Sequence, residues 1–151
     1  MKMRLWMTLA LVASAAIGFA GLVHAQSQPF KIGVVNNETG GMGMFGTVQD
    51  RGIRLAAEVI NKEGGINGRK LEVIIYDGET KPDVNLRMAR KLIEQDKVHV
   101  LIGPNFTPGI AAIAPLVNEA KIPMVKFGGY IVNPAKDPYV FSMGQDNRLI
   151  A

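Results

Sequence analysis

Apolar runs and stripes of helical period alternate along this chain. Residues 30–35, 71–76 and 98–102 are apolar apart from Lys31, Glu72 and His99, and each has the length of a buried strand. Shorter runs at 124–125 and 139–143 predict a fourth and a fifth strand. Between the runs the period changes. Ile53, Ala56, Ala57 and Ile60 fall at i, i+3, i+4 and i+7 of a helix predicted over 47–61, stopped by Gly64-Gly65. Pro82 opens a second helix in which Val84, Met88 and Leu92 share a face, while Arg87, Arg90, Lys91 and Glu94 mostly meet water. A third, over 108–120, turns Ile110, Ile113, Ala114 and Val117 inward. No internal repeat or low-complexity linker interrupts the series.

Strands that are apolar on both faces and alternate with helices predict an α/β fold, a parallel sheet with helices on both faces. Ligands of such sheets bind beyond the carboxyl ends of the strands. The loops over 36–46, 103–107 and 126–138 occupy that edge, and the first and third are longer than usual connections. The first carries Gly41, Gly43 and Gly46 in the order G-x-G-x-x-G. A dinucleotide loop, however, sets its first glycine directly after the strand and an acidic residue about 20 positions on. Here four residues and Gly40 intervene, and the acidic residue ending the second strand is Asp77. The glycines therefore read as a flexible loop in which positive φ is permitted.

The first 25 residues have the form of an export leader. Lys2 and Arg4 precede an apolar stretch over 5–23, and Val23-His24-Ala25 puts small residues where cleavage before Gln26 needs them. Residues 1–25 are thus expected to be a cleaved signal peptide and 26–151 the mature, periplasmic part. The net charge of the whole chain is +4; without Lys2 and Arg4, fifteen basic residues face thirteen acidic ones, leaving +2. The basic residues are scattered and no basic-aromatic stripe occurs, so nucleic acid is not an expected partner. Cysteine is absent, which removes disulfides, thiol nucleophiles, thiolate metal sites and a lipid-bearing Cys at the cleavage point. Stability must come from the core.

Residues suited to catalysis are few. His24 lies in the leader, and His99 lies inside a predicted strand, where a histidine is a packed residue more often than a base. No serine sits in G-x-S-x-G. Asp77 and Glu79 have neither a partner base nor a metal-ligand histidine and read as a solvated pair. An enzyme is not expected, nor a cofactor or metal.

Binding fits better. Gly103-Pro104-Asn105-Phe106-Thr107 leads from the third strand into the third helix, whose free N–H groups near Phe106 and Thr107 attract a carboxylate. Thr107 could add a donor to that ligand, cap its own helix, or do both. Gly128 and Gly129 could admit a ligand to the backbone or form a turn. Tyr130 and Phe106 could wall the site or pack beneath the loops.

Several segments together resemble a known family. They are Ile32-Gly33-Val34-Val35, Thr39-Gly40, Asp50-Arg51-Gly52, the run Ile60-Asn61-Lys62-Glu63-Gly64-Gly65-Ile66-Asn67-Gly68-Arg69-Lys70-Leu71, and Tyr76-Asp77. Ile102-Gly103-Pro104, Ala114-Pro115, Ile122-Pro123 and Pro138-Tyr139-Val140-Phe141 continue the pattern over nearly all of 26–151. This is similar to the N-terminal lobe of Leu/Ile/Val-type periplasmic binding proteins, of the type I periplasmic binding fold.

The resemblance implies the substrate-binding component of an ABC importer. Two lobes would close on a branched-chain, other aliphatic or aromatic amino acid or a related acid, delivered to an inner-membrane permease. It implies that Thr107, with Phe106 beside it, holds the ligand carboxylate, that Gly128 and Tyr130 contribute from the loop after the fourth strand, and that Phe45 lines the cleft. Lys126 departs from the small residue usual in the family. The family also has a second lobe, whereas the chain ends at Leu149-Ile150-Ala151, about where the first crossover begins. The expected unit is therefore an incomplete N-terminal lobe, truncated before the second. A ligand-sensing module of the same fold is the alternative, and an exported nucleotide-binding enzyme a remoter one.

Overall fold

The computed structural model describes residues 28–143, and the predicted leader lies outside them. Five strands form one sheet: β1 (Phe30–Asn36), β2 (Leu71–Asp77), β3 (Val100–Ile102), β4 (Met124–Lys126) and β5 (Val140–Ser142). Three helices connect them: α1 (Gly43–Lys62), α2 (Pro82–Glu94) and α3 (Thr107–Ala120). The strand order is β2-β1-β3-β4-β5, and every pairing is parallel. The expected α/β class and its doubly covered sheet are present.

The main core lies between the sheet and α2 and α3. Val35, Leu101, Met124 and Val140 from the strands meet Ala89 and Leu92 of α2 and Ile110, Ile113, Ala114 and Val117 of α3. These are the inward positions of the helical stripes, so burial of one apolar face holds each helix in place. On the opposite face α1 lays Ile53, Ala57 and Ile60 over Ile32, Val73 and Ile102, leaving a half-open apolar pocket of about 180 Å³ between them. Among the described residues no helix is long and apolar enough to cross a membrane.

Two element boundaries differ from the sequence reading by more than one residue. Helix α1 begins at Gly43, four residues earlier than predicted, and a 3₁₀ turn over Gly40–Met42 leads into it. Gly43 and Gly46 are therefore helical, and within the glycine motif no residue has positive φ; Gly40, just before it, does. The expectation of a flexible loop is corrected. Gly46 is needed for close packing, since a Cβ there would overlap the carbonyl of Asn37. The second correction concerns His99. Strand β3 starts after it, and His99 is exposed, stacked on Phe30 at 4.7 Å, its Nδ1 accepting the Lys31 N–H at 3.0 Å.

Candidate functional site

Parallel strands deliver all of their carboxyl ends to one edge, so the loops after β1, β2, β3 and β4 converge there. Polar side chains bind three of these loops into one frame. Asn37, fully buried after β1, donates from Nδ2 to Oδ1 of Asn105 after β3 at 2.7 Å. Its own Oδ1 accepts the Thr80 N–H at 2.8 Å and Nδ2 of Asn85 at 3.0 Å. Asn85 Nδ2 also donates to the carbonyls of Gly78 and Lys81 at 3.0 and 2.7 Å. Asn36 donates to the Gly46 carbonyl and to Asp50 Oδ1 at 2.9 and 2.8 Å, fastening α1 to the end of β1.

Asp77, expected to be solvated, organises the same frame. Its carboxylate accepts the Glu38, Thr39 and Glu79 N–H groups and the Thr39 hydroxyl, at 3.0, 3.3, 2.8 and 2.6 Å. Burial pushes its pKa up, but the Thr39 hydroxyl and these backbone donors outweigh it and hold the group below the ordinary carboxylate value. Glu38 behaves oppositely. The second oxygen of Asp50 is buried with no partner among the described residues, and a hydrogen bond to the Asp50 side chain favours the protonated form of Glu38. That hydrogen bond, then partial desolvation, then the charges of Asp50 and Asp77, raise Glu38 from 4.5 to about 7, against a smaller opposing pull from Arg54.

Above this frame stands the first turn of α3. Phe106 is its N-cap, with extended backbone and no side-chain cap bond, and Thr107 and Pro108 are its first two residues. Thr107 is exposed, and the capping role left open for it is not the one it has here. Proline carries no N–H, so Thr107 and Gly109 hold the first-turn amides that have no acceptor within the helix. Asn105, one residue before the cap, keeps a buried Nδ2 without a partner among the described residues.

Gly128 closes onto this turn. A methyl group on it would lie 2.7 Å from Ile110 Cδ1 and 3.3 Å from the Thr107 nitrogen. Phe106, Thr107 and Gly128 are thus brought together. Phe45 lies in the first turn of α1 on the same edge, 55% exposed. Tyr130 is turned elsewhere. Its ring packs on the main core and its hydroxyl donates to Asp137 Oδ2 at 3.1 Å; burial and then that carboxylate push its pKa up. Lys126 is buried at the end of β4, its Nζ donating to the Gly128 carbonyl at 2.7 Å, so the residue that departs from the expected pattern supports the loop facing α3.

The four asparagines escape a reading based on chemistry alone. Asn36 and Asn37 directly follow an apolar strand, and Asn85 falls on the inward stripe of α2 with Ala89 and Leu92. A polar residue at a core position was the available signal, because a buried amide requires partners.

The description "Periplasmic binding protein" belongs to the family model that matches residues 29–150. The chain belongs to this family. An amino acid binding protein of Pseudomonas aeruginosa is 33% identical to this binding protein over 114 residues, which cover 76% of the chain and 30% of the relative. Among solved structures, a branched-chain amino acid transporter substrate binding protein from Streptococcus pneumoniae, in complex with isoleucine, superposes with TM-score 0.75 at 26% identity. It covers 79% of this chain, and 34% of its own length is matched. A solute binding protein of an ABC transporter from Rhodopseudomonas palustris, in complex with 3,4-dihydroxybenzoic acid, gives 0.68 at 36% identity, over 76% of this chain and 31% of that one. This periplasmic binding protein chain therefore spans about a third of the length of these relatives. They are binding proteins, not enzymes, and among the described residues no group of His, Asp and Glu is arranged to hold a metal.

Proposed function

We propose that residues 26–151 are the N-terminal lobe of a two-lobe receptor that captures a small carboxylate, an amino acid or an aromatic acid, for an ABC importer. One observation carries the reading: the exposed first turn of α3, with Thr107 at its start, faces Gly128 at the carboxyl edge of the sheet. A helix start offers unpaired N–H groups and a positive dipole end, which suit a carboxylate. Gly128 lets the ligand approach backbone on the other side, and Phe106 and Phe45 supply apolar surface. The relatives crystallised with isoleucine and with 3,4-dihydroxybenzoic acid share one group, the carboxylate.

In this reading residues 1–25 direct export and are removed, so N-terminal sequencing of the secreted protein begins at Gln26. The second lobe supplies the opposite wall of the cleft, and the closed form docks on an inner-membrane permease. The test is thermal unfolding of the intact protein against aliphatic amino acids, aromatic amino acids and benzoates. A true ligand at a hundredfold excess over its Kd stabilises by about 2.7 kcal/mol. If no acid of any of the three groups raises the melting temperature, the reading fails.

A further inference from the structure

Two residues at the carboxyl edge of the sheet are strained. Glu79 and Thr80, in the turn between β2 and α2, both have φ 54. For a β-branched threonine this left-handed conformation is an outlier, and such strain persists only where the surroundings over-determine it. Here they do. Asp77 accepts the Glu79 N–H at 2.8 Å, the Lys81 N–H closes the turn on the Gly78 carbonyl at 2.9 Å, and Asn37 Oδ1 accepts the Thr80 N–H at 2.8 Å.

Glycine would sit in this turn without strain; what threonine adds is a hydroxyl. Thr80 Oγ1 donates to the Thr39 carbonyl at 2.8 Å and accepts the Met42 N–H at 3.2 Å. It thereby clasps both ends of the 3₁₀ turn over Gly40–Met42, and a Cβ on Gly40 would lie 2.8 Å from the same oxygen. Helix α1 starts directly after that turn and carries Phe45 among its first residues. The backbone N–H of Thr80 acts in the other direction. By occupying Asn37 Oδ1 it obliges Asn37 Nδ2 to donate to Asn105, the residue before the cap of α3. Thr80 thus holds the loop after β1 at two points, one leading to Phe45 and the other to the first turn of α3.

We infer that Thr80 is a positioning residue of the ligand site, its hydroxyl fixing the apolar wall at Phe45 while the start of α3 holds the carboxylate. This role rests on the carboxylate site proposed above. Loss of the hydroxyl releases the 3₁₀ turn but leaves the Thr80 N–H on Asn37, so its effect on affinity must pass through Phe45.

Titration calorimetry of the intact protein with isoleucine, phenylalanine and 3,4-dihydroxybenzoate tests it, the variants being compared on the acid that binds most tightly. Thr80→Val keeps the shape without the hydroxyl, and Thr80→Gly removes the strain as well. Each is expected to weaken binding about fivefold, the weight of one hydrogen bond, while Thr80→Ser, which keeps the oxygen, stays within about twofold of the unaltered protein. In a Phe45→Ala background Thr80→Val is expected to cost nothing further, which is the coupling a double-mutant cycle detects. Melting temperatures of the free variants check that each is folded. Undiminished affinity in both hydroxyl-free variants, or losses of Thr80→Val and Phe45→Ala that simply add, overturn the role of Thr80 and leave the carboxylate site standing. If none of the three acids binds the unaltered protein, the carboxylate site itself falls and the role of Thr80 with it.

Discussion

Asn37 and Asn105 are 68 residues apart in sequence and meet at 2.7 Å, joining the loop that follows β1 to the loop that leads into α3. The bond has a fixed sense. Asn37 Oδ1 is occupied by the Thr80 N–H, so its Nδ2 must face Asn105 and donate. Replacement by alanine strands the Thr80 N–H and leaves Asn105 Oδ1 short of a partner inside the protein, while Asn85 Nδ2 keeps the Gly78 and Lys81 carbonyls. For Asn37→Ala a loss on the order of 2 to 3 kcal/mol is expected from groups left unpaired. Urea unfolding would register it as a lower midpoint with an unchanged slope. A loss below about 0.5 kcal/mol would mean that water replaces Asn37 and that the frame is not cooperative.

The glycines of the G-x-G-x-x-G stretch are predicted to respond differently to alanine. At Gly46 a Cβ overlaps the Asn37 carbonyl, so Gly46→Ala must push α1 off the loop; overpacking of this kind costs about 1 to 3 kcal/mol. At Gly41 the space is open and φ is not positive, so Gly41→Ala is expected to stabilise by about 0.5 kcal/mol through the unfolded chain. Equal effects at the two sites in thermal melts would contradict the packing role of Gly46.

Glu38 makes stability depend on pH near neutrality. Its folded pKa is raised to about 7 from 4.5, so between these values the folded state binds more protons than the unfolded one, and stability falls as pH rises through this window. The group faces solvent, so the effect is small. In Glu38→Gln the fall between pH 4.5 and 7 should flatten. A wild-type protein whose midpoint is constant or rises over that range would show that Glu38 and Asp50 do not share a proton.

Thr107→Ala separates binding from folding. Because Thr107 is exposed and caps nothing, its removal should leave the melting temperature of the free protein nearly unchanged. A hydrogen bond from it to a ligand carboxylate contributes about 1.5 to 3 kcal/mol, a loss of roughly ten- to a hundredfold in affinity by titration calorimetry. Undiminished affinity would remove Thr107 from the site.

The alternation of apolar runs and helical stripes made the fold class legible. Burial on both faces of a strand and on one face of a helix is imposed locally, residue by residue, as at Val34 and Val35 or at Ile110, Ile113 and Val117. The start of α1 was not legible, because Gly43 and Gly46 have low helical propensity and the carbonyls of Glu38 and Asn37, which leave no room for a Cβ at these positions, approach them only in the folded chain. His99 misled for a related reason. Its neighbours are apolar, but β3 is only three residues long and begins after it.

What the sequence by itself determined is the order of the elements, the parallel sheet, the edge at which the loops gather, and the family pattern. These follow from periodicity and from turn residues, which act over a few positions. Only the tertiary structure decided which polar groups meet across that edge. Asn37, Asn85 and Asn105 come from three separate loops and helices, and the partner of a buried amide is chosen by distance in space, not along the chain. It also decided that Tyr130 turns to Asp137, that Lys126 supports Gly128, and that among the described residues one side of α1 is left without a cover. Hydrophobic periodicity records how many faces an element must bury; the packing of the other elements settles which of them are buried within one molecule.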